Sequence, residues 1–264
     1  MTITIGQHYP TNSIIHKIDP RIKLISVFMY VTILLFVNNF IGYAISGIFI
    51  STIVLLSKVP PLFLLRGLRA IMYMLIISAL INIFLTPGER VIFSLWVLRI
   101  TLEGVLLATQ MALRLTMLII GSSLLTLTTT PIQLTHAIES LLSPLKPLGV
   151  PAHDIAMMMM IALRMIPALA EELDKIMKAQ KARGAEFDTG NLIKRARSLL
   201  PILVPLFVSA FKRAEELSTA MEARCYRGDI NRTRFKTMQT APRDWVALGI
   251  MIVFCIAIFI TRRL

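Results

Sequence analysis

A chain of 264 residues would suffice for one or two soluble domains, but 56% of this one is hydrophobic and several of its apolar runs are long enough to cross a bilayer. A soluble core of this size cannot hide that much apolar surface, so lipid must cover part of it, which excludes an ordinary soluble enzyme. The 28 Lys and Arg against 15 Asp and Glu give a net charge of +13; without a DNA- or RNA-binding motif, that excess marks loops held on the cytoplasmic side of a membrane and argues against a nucleic-acid partner.

Residues 1–23 are polar, and no apolar core precedes Leu24, so a cleavable signal peptide is not expected and the first membrane helix directs insertion. Apolar runs over Leu24–Val37 and Ile41–Leu56, broken by Asn38 and Asn39, predict two short membrane helices joined by a tight turn. Lys58, Pro60, Pro61, Arg66 and Arg69 predict a basic loop, and a third run, Ala70–Leu85, stops at Thr86-Pro87-Gly88. The stretch Val91–Thr101 is rich in β-branched and aromatic residues but too short to span as a helix, and reads as a connection or partial insertion. Fourth and fifth membrane helices are predicted over Glu103–Thr128 and Trp245–Ile260. Cys225 and Cys255 are too few for a disulfide framework, and Cys255 reads as a small buried hydrophobe.

Basic residues outnumber acidic ones by two in residues 1–23, by three in 57–70 and by six in 129–243, and balance them in 87–103. The positive-inside rule therefore places the N-terminus and residues 129–243 in the cytoplasm. The expected architecture is an all-α, polytopic membrane protein of about five transmembrane helices with a cytoplasmic domain of long amphipathic helices. Its parts are 1–128 (polar N-terminal segment and helices one to four), 129–243 (cytoplasmic domain) and 244–264 (last membrane helix).

Within 129–243, a short amphipathic stretch, Ile132–Leu142, stops at Pro144 and Pro147. From Pro151 the apolar residues Ile155, Met158, Met159, Ala162, Leu163, Ile166, Leu169, Ala170, Leu173 and Ile176 recur at helical spacing. Glu171/Lys175 and Asp174/Lys178 form i,i+4 pairs of favourable order, and Gly184 supplies a natural stop after Arg183. A polar linker, Asp188-Thr189-Gly190-Asn191, precedes a second helical pattern carried by Leu203, Phe207, Ala210, Ala214, Leu217 and Met221, which reaches Arg224. Each helix is expected to run about 30–36 residues, roughly 45–54 Å at 1.5 Å per residue, with bends or breaks at Pro167, Pro201 and Pro205. Both end on Ala-Arg. A cation at a helix C-terminus is ordinary taken singly; two in one segment read as a doubled docking device.

These features resemble the transmembrane (T) component of energy-coupling factor transporters, ABC-type importers of vitamins and trace nutrients, whose members carry two Ala-Arg-Gly signatures at the ends of two long coupling helices. Here the first is Ala182-Arg183-Gly184 and the second Ala223-Arg224-Cys225, with Cys where the pattern has Gly and Gly228 close by to supply a turn. The N-terminal Ser13-x-x-His16-x-x-Asp19-Pro20-Arg21-x-Lys23 is similar to the family's opening segment, and the likeness covers essentially the whole chain. The resemblance implies a non-catalytic scaffold in the cell membrane with no cofactor of its own. Its partners would be two ABC-type ATPases, which bind the ATP, and one or more S components, small membrane proteins that bind the vitamin. The ATPases would dock at the two Ala-Arg signatures, where a guanidinium suits a carboxylate in an ATPase groove. Met157, Met158, Met159 and Met160, flexible and polarizable side chains at the head of the first coupling helix, are the candidate S-component contact.

Gln110 and Arg114 lie deep in helix four, where a structural partner or a snorkelling position is expected, and Arg164 is expected to face headgroups or a neighbour. The histidines His8, His16, His136 and His153 lack metal-ligand spacing, and no phosphate-binding Gly-rich loop is present. The alternatives are an integral membrane enzyme, which would cluster acids or histidines at the membrane face, and a self-contained secondary transporter, which would show internal repeats and broken midplane helices.

Overall fold

The computed structural model describes residues 9–87, 90–95, 98–185, 187, 191, 197–228 and 240–261. The predicted positions Gly88, Asp188, Thr189 and Gly190 fall outside these residues. In chain order the elements are α1 (Pro20–Leu35), α2 (Phe40–Ser57), α3 (Pro61–Leu85), a hairpin of β1 (Val91–Leu95) and β2 (Leu98–Thr101), α4 (Leu102–Thr128), α5 (Pro131–Leu142), a 3-10 turn (Ser143–Leu148), α6 (Ala152–Ala182), α7 (Leu200–Ala223) and α8 (Pro242–Thr261). The fold is all-α but for the hairpin. The chain forms two compact units: one of residues 6–137 and 236–264, the other built on residues 138–235.

In the first unit, α1 and α2 each pack on both α4 and α8, and α3 lies along α4. Lipid tails are as apolar as these side chains, so close packing rather than water exclusion must hold the helices together. Small residues allow that approach. A Cβ at Gly121 of α4 would stand 2.5 Å from the Tyr30 ring of α1, a distance no side chain tolerates. Beside this contact Phe49 of α2 stacks on Phe254 of α8 with ring centroids 4.1 Å apart, and Leu34, Tyr43, Ile50, Leu124 and Met251 complete the core.

Two expectations are corrected, and one left between alternatives is resolved. The basic loop before helix three is helical from Pro61, because a proline is pre-organised for the first helical turn; α3 bends by 59° where the first part, Pro61–Arg69, meets the second, Ile71–Leu85. The ambiguous piece after it is a connection: β1 and β2 pair antiparallel, with an irregularity between Val91 and Phe93, and β2 leads directly into α4. The second amphipathic helix, α7, has 24 residues rather than 30 or more, and Pro201 stands in its first turn.

Among the described residues four helices are long and apolar enough to cross a membrane: α2, α4, α6 and α8; the bent α3 makes a fifth. Helix α1, at 16 residues, is about 24 Å long, short of the roughly 30 Å hydrocarbon core. Helix α6 qualifies through its first half alone; its second half carries Glu171, Glu172, Asp174, Lys175, Lys178 and Lys181.

Most of the N-terminal motif is tied into local structure. Asp19 caps α1 by accepting the Arg21 N–H at 2.9 Å, Pro20 occupies the first turn, and the Asp19 N–H donates to the buried Asp244 carboxylate at 2.9 Å. The Ser13 hydroxyl lies 2.7 Å from His16 Nδ1, and the buried Lys23 ammonium donates to the carbonyls of His16 and Thr128 at 3.2 and 3.0 Å. Arg114 likewise has partners: its guanidinium donates to the Val37 carbonyl at 2.6 Å and to Asn38 Oδ1 and Tyr43 Oη at 3.2 Å each, while Gln110 donates to the Asn38 carbonyl. Together they satisfy carbonyls of the turn between α1 and α2.

Candidate functional site

Cross-helix contacts between α6 and α7 run in opposite senses along the two chains. Gln180 Nε2 donates to the Pro201 carbonyl at 3.4 Å, Arg213 pairs with Glu172 at 3.5 Å, and the Tyr226 hydroxyl, just past α7, donates to Met157 Sδ at 2.7 Å. The two helices are therefore antiparallel. A groove of about 300 Å³ between them is lined by Ile161, Met165 and Leu169 from α6 and by Ala214, Leu217 and Met221 from α7. The Arg213–Glu172 bridge links the two helices and, being partly exposed, contributes under about 1 kcal/mol.

The two Ala-Arg ends are built alike. After α6, Arg183 has φ −86° and ψ 7°, and Gly184 turns left-handed at φ +84°. The Gly184 N–H then bonds the Lys181 carbonyl at 3.0 Å and the Ala185 N–H the Gln180 carbonyl at 2.9 Å. After α7, Arg224 has φ −90° and ψ 10°, and Cys225 turns left-handed at φ +54°. Its N–H bonds the Glu222 carbonyl at 2.8 Å and the Tyr226 N–H the Met221 carbonyl at 3.0 Å. Both are the paired-bond cap in which a left-handed residue closes the last helical carbonyls. The turn thus falls at Cys225 itself; Gly228, also at positive φ, comes three residues later.

Ala182, Arg183, Gly184, Ala223, Arg224 and Cys225 are all exposed. Antiparallel packing sends the two arginines to opposite ends of the pair, about 40 Å apart along α6 at 1.5 Å per residue. The four methionines do not share one surface, since successive helical residues are turned by about 100°. Met158 and Met159 are exposed, whereas Met157 faces Tyr226. The apolar residues of α7 also divide: Ala210, Ala214, Leu217 and Met221 line the groove, while Leu203 and Phe207, with Val204, Val208 and Phe211, are exposed. Arg164 is exposed in the apolar half of α6.

Periodicity gave no sign of a second polar cluster. His153 Nδ1 lies 3.0 Å from the Glu139 carboxylate, both side chains being buried, and His153 Nε2 lies 3.4 Å from the Tyr226 hydroxyl. In the other unit, a cavity of about 510 Å³ among α1, α2, α4 and α8 is lined almost wholly by apolar side chains. Its polar lining is Lys23, Ser26, Tyr30, Thr52 and Thr128, of which Lys23 is committed to backbone carbonyls.

Membrane-length apolar helices in one unit, and in the other a helix pair with two matching exposed caps, define a multi-pass membrane protein. Residues 11–237 match the family model CbiQ, described as a cobalt transport protein. The energy-coupling factor transporter transmembrane protein EcfT of Ruminiclostridium cellulolyticum is 52% identical over 252 residues, 96% of this chain and 94% of its own. The proteins of that name from Thermosediminibacter oceani and Bacillus subtilis are 51% and 43% identical, covering 95% and 99% of this chain and 96% and 98% of their own. The chain belongs to this family, the transmembrane components of energy-coupling factor transporters.

Proposed function

We propose that the chain is the coupling subunit of an ABC-type vitamin importer, receiving ATP-driven motion from two cytoplasmic ATPases and passing it to a membrane-embedded S component that carries the vitamin. The observation that carries this reading is the pair of like-built Ala-Arg caps, exposed at opposite ends of one antiparallel helix pair. One cap would seat in each ATPase, with Arg183 and Arg224 as charged anchors. ATP binds to those partners, and this chain holds no cofactor.

In this reading the short α1 crosses the membrane together with α2, α3 and α4, so that the N-terminus and residues 129–243 are both cytoplasmic, as the distribution of Lys and Arg favours. Helix α6 then lies at the membrane surface rather than across it. The exposed Arg164 supports that placement, because a lipid-facing guanidinium in the middle of a span costs several kcal/mol, about 3 or more. The exposed Met158 and Met159, with Phe207 and Phe211 of α7, offer apolar surface to the S component. The relatives' names carry no substrate and the family model's description names cobalt; the choice of a vitamin rests on the long form of the N-terminal segment, residues 1–23, and on the lack of metal-ligand spacing in the sequence, and the identity of the recovered S component decides it.

Truncating a buried interfacial charge pair costs about 2–5 kcal/mol. Arg183→Ala and Arg224→Ala are each expected to reduce recovery of the ATPases with the tagged chain, and the double variant to abolish it. Full ATPase recovery and normal uptake by the double variant, at normal protein levels, would show that the caps are not the docking points.

A further inference from the structure

We propose that Tyr226 is a mechanical latch that ties the Arg224 cap to the head of α6, so that a displacement of that cap is delivered directly to the methionine-bearing surface. This inference rests on the coupling-subunit reading and assigns the path by which one ATPase would act.

Tyr226 is two residues beyond Arg224, and its N–H closes the same cap through the Met221 carbonyl at 3.0 Å. The cap's geometry thus fixes where the Tyr226 side chain starts. Its hydroxyl donates its one proton to Met157 Sδ at 2.7 Å and lies 3.4 Å from His153 Nε2, both on the first turns of α6. The imidazole is itself held from behind, because Glu139 at the end of α5 can only accept and so takes the proton on His153 Nδ1 at 3.0 Å. Its Nε2 faces the tyrosine hydroxyl from the other side of the ring. The end of α5, the head of α6 and the distant end of α7 are therefore brought together by Glu139, His153 and Tyr226, of which His153 and Glu139 are buried.

The consequence is asymmetric. The Arg224 cap is bonded to the α6 turn whose neighbouring residues, Met158 and Met159, are exposed. The Arg183 cap lies at the far end of α6, beside the start of α7, where Gln180 meets Pro201. A push on the Arg224 cap reaches the methionines through one hydrogen bond, whereas a push on the Arg183 cap must travel the length of the helix. Tyr226 acts as a positioning residue: it touches neither ATP nor transported substrate.

The test uses the complex purified with its ATPases, with amide hydrogen exchange measured with and without Mg²⁺ and the non-hydrolysable analogue adenylyl imidodiphosphate. In the wild type, nucleotide should alter exchange both at the α7 end (residues 219–226) and at the α6 head (residues 152–160). Tyr226→Phe removes one hydroxyl and keeps the ring. It should leave ATPase recovery and the response of the α7 end unchanged while cutting the response of the α6 head about fivefold, the factor a net hydrogen bond is worth. Tyr226→Leu should give the same separation. An α6 response undiminished in both variants, or absent from the wild type while the α7 end responds, overturns the latch alone. Failure to recover any ATPase with the wild type overturns the coupling-subunit reading and the latch with it.

Discussion

Cys225 holds a left-handed backbone conformation, φ +54°, that costs an L-residue about 1–2 kcal/mol relative to glycine. The same position after α6 is Gly184, at φ +84°, with no atom within 4 Å of where its Cβ would be. Cys225→Gly should therefore stabilise the α7 cap by about 0.5–1 kcal/mol after allowing for the greater freedom of glycine in the unfolded chain. Gly184→Ala should destabilise the α6 cap by a similar or larger amount. Thermal unfolding in detergent checks both, and a lower midpoint for Cys225→Gly would contradict the shared cap geometry. Gly184 was legible as a helix stop because glycine is the usual residue there; nothing in a cysteine announces that it will take the same conformation, so the turn seemed to belong to Gly228. Arg114 was legible as a residue needing a partner. Its partners, the Val37 carbonyl and the side chains of Asn38 and Tyr43, lie more than 70 positions away and could not be read. Arg114→Ala should cost about 1.5–3 kcal/mol, the value of a hydrogen bond to a charged group, and lower the midpoint accordingly.

At the scale of elements, the membrane helices were readable from apolar runs bounded by polar or charged residues, as in α2, α4 and α8. The beginning of α3 was misread because Arg66 and Arg69 made Pro61–Arg69 look like a loop, whereas Pro61 at the first helical position was the better signal. Helix α5 shows a local signature that structure makes explicit: Thr130 and Gln133 exchange hydrogen bonds of 3.1 and 3.3 Å as a reciprocal capping box. What holds α1 to α4 is not in either helix's own pattern. Gly121 is needed because Tyr30 crosses directly over it. Gly121→Leu should force the helices apart and sharply lower the yield of folded protein in the membrane, while the same change at Gly249, where a Cβ would meet nothing within 4 Å, should be tolerated. Equal yields for the two variants would show that the α1–α4 approach is not tight. The division of the α7 apolar residues between a groove-lining set and an exposed set was also beyond periodicity, which marks apolar positions without saying which neighbour covers them.

For the whole molecule, the sequence carried the essential pattern: an apolar chain with its cations gathered in one long segment, and two Ala-Arg helix ends within it. The antiparallel pairing that sends those ends to opposite poles depends on contacts such as Met157–Tyr226 and Glu172–Arg213, which no local rule predicts. In the proposed function, that separation would let a single chain engage two partners at once. The most direct test is to tag the chain in its native membrane, solubilise it gently and identify what is recovered by mass spectrometry, for the wild type and for Arg183→Ala/Arg224→Ala. The account predicts two ABC-type ATPases and at least one small vitamin-binding membrane protein with the wild type, and loss of both ATPases in the double variant. Recovery of the wild-type chain alone, or of undiminished ATPases with the double variant, would contradict it.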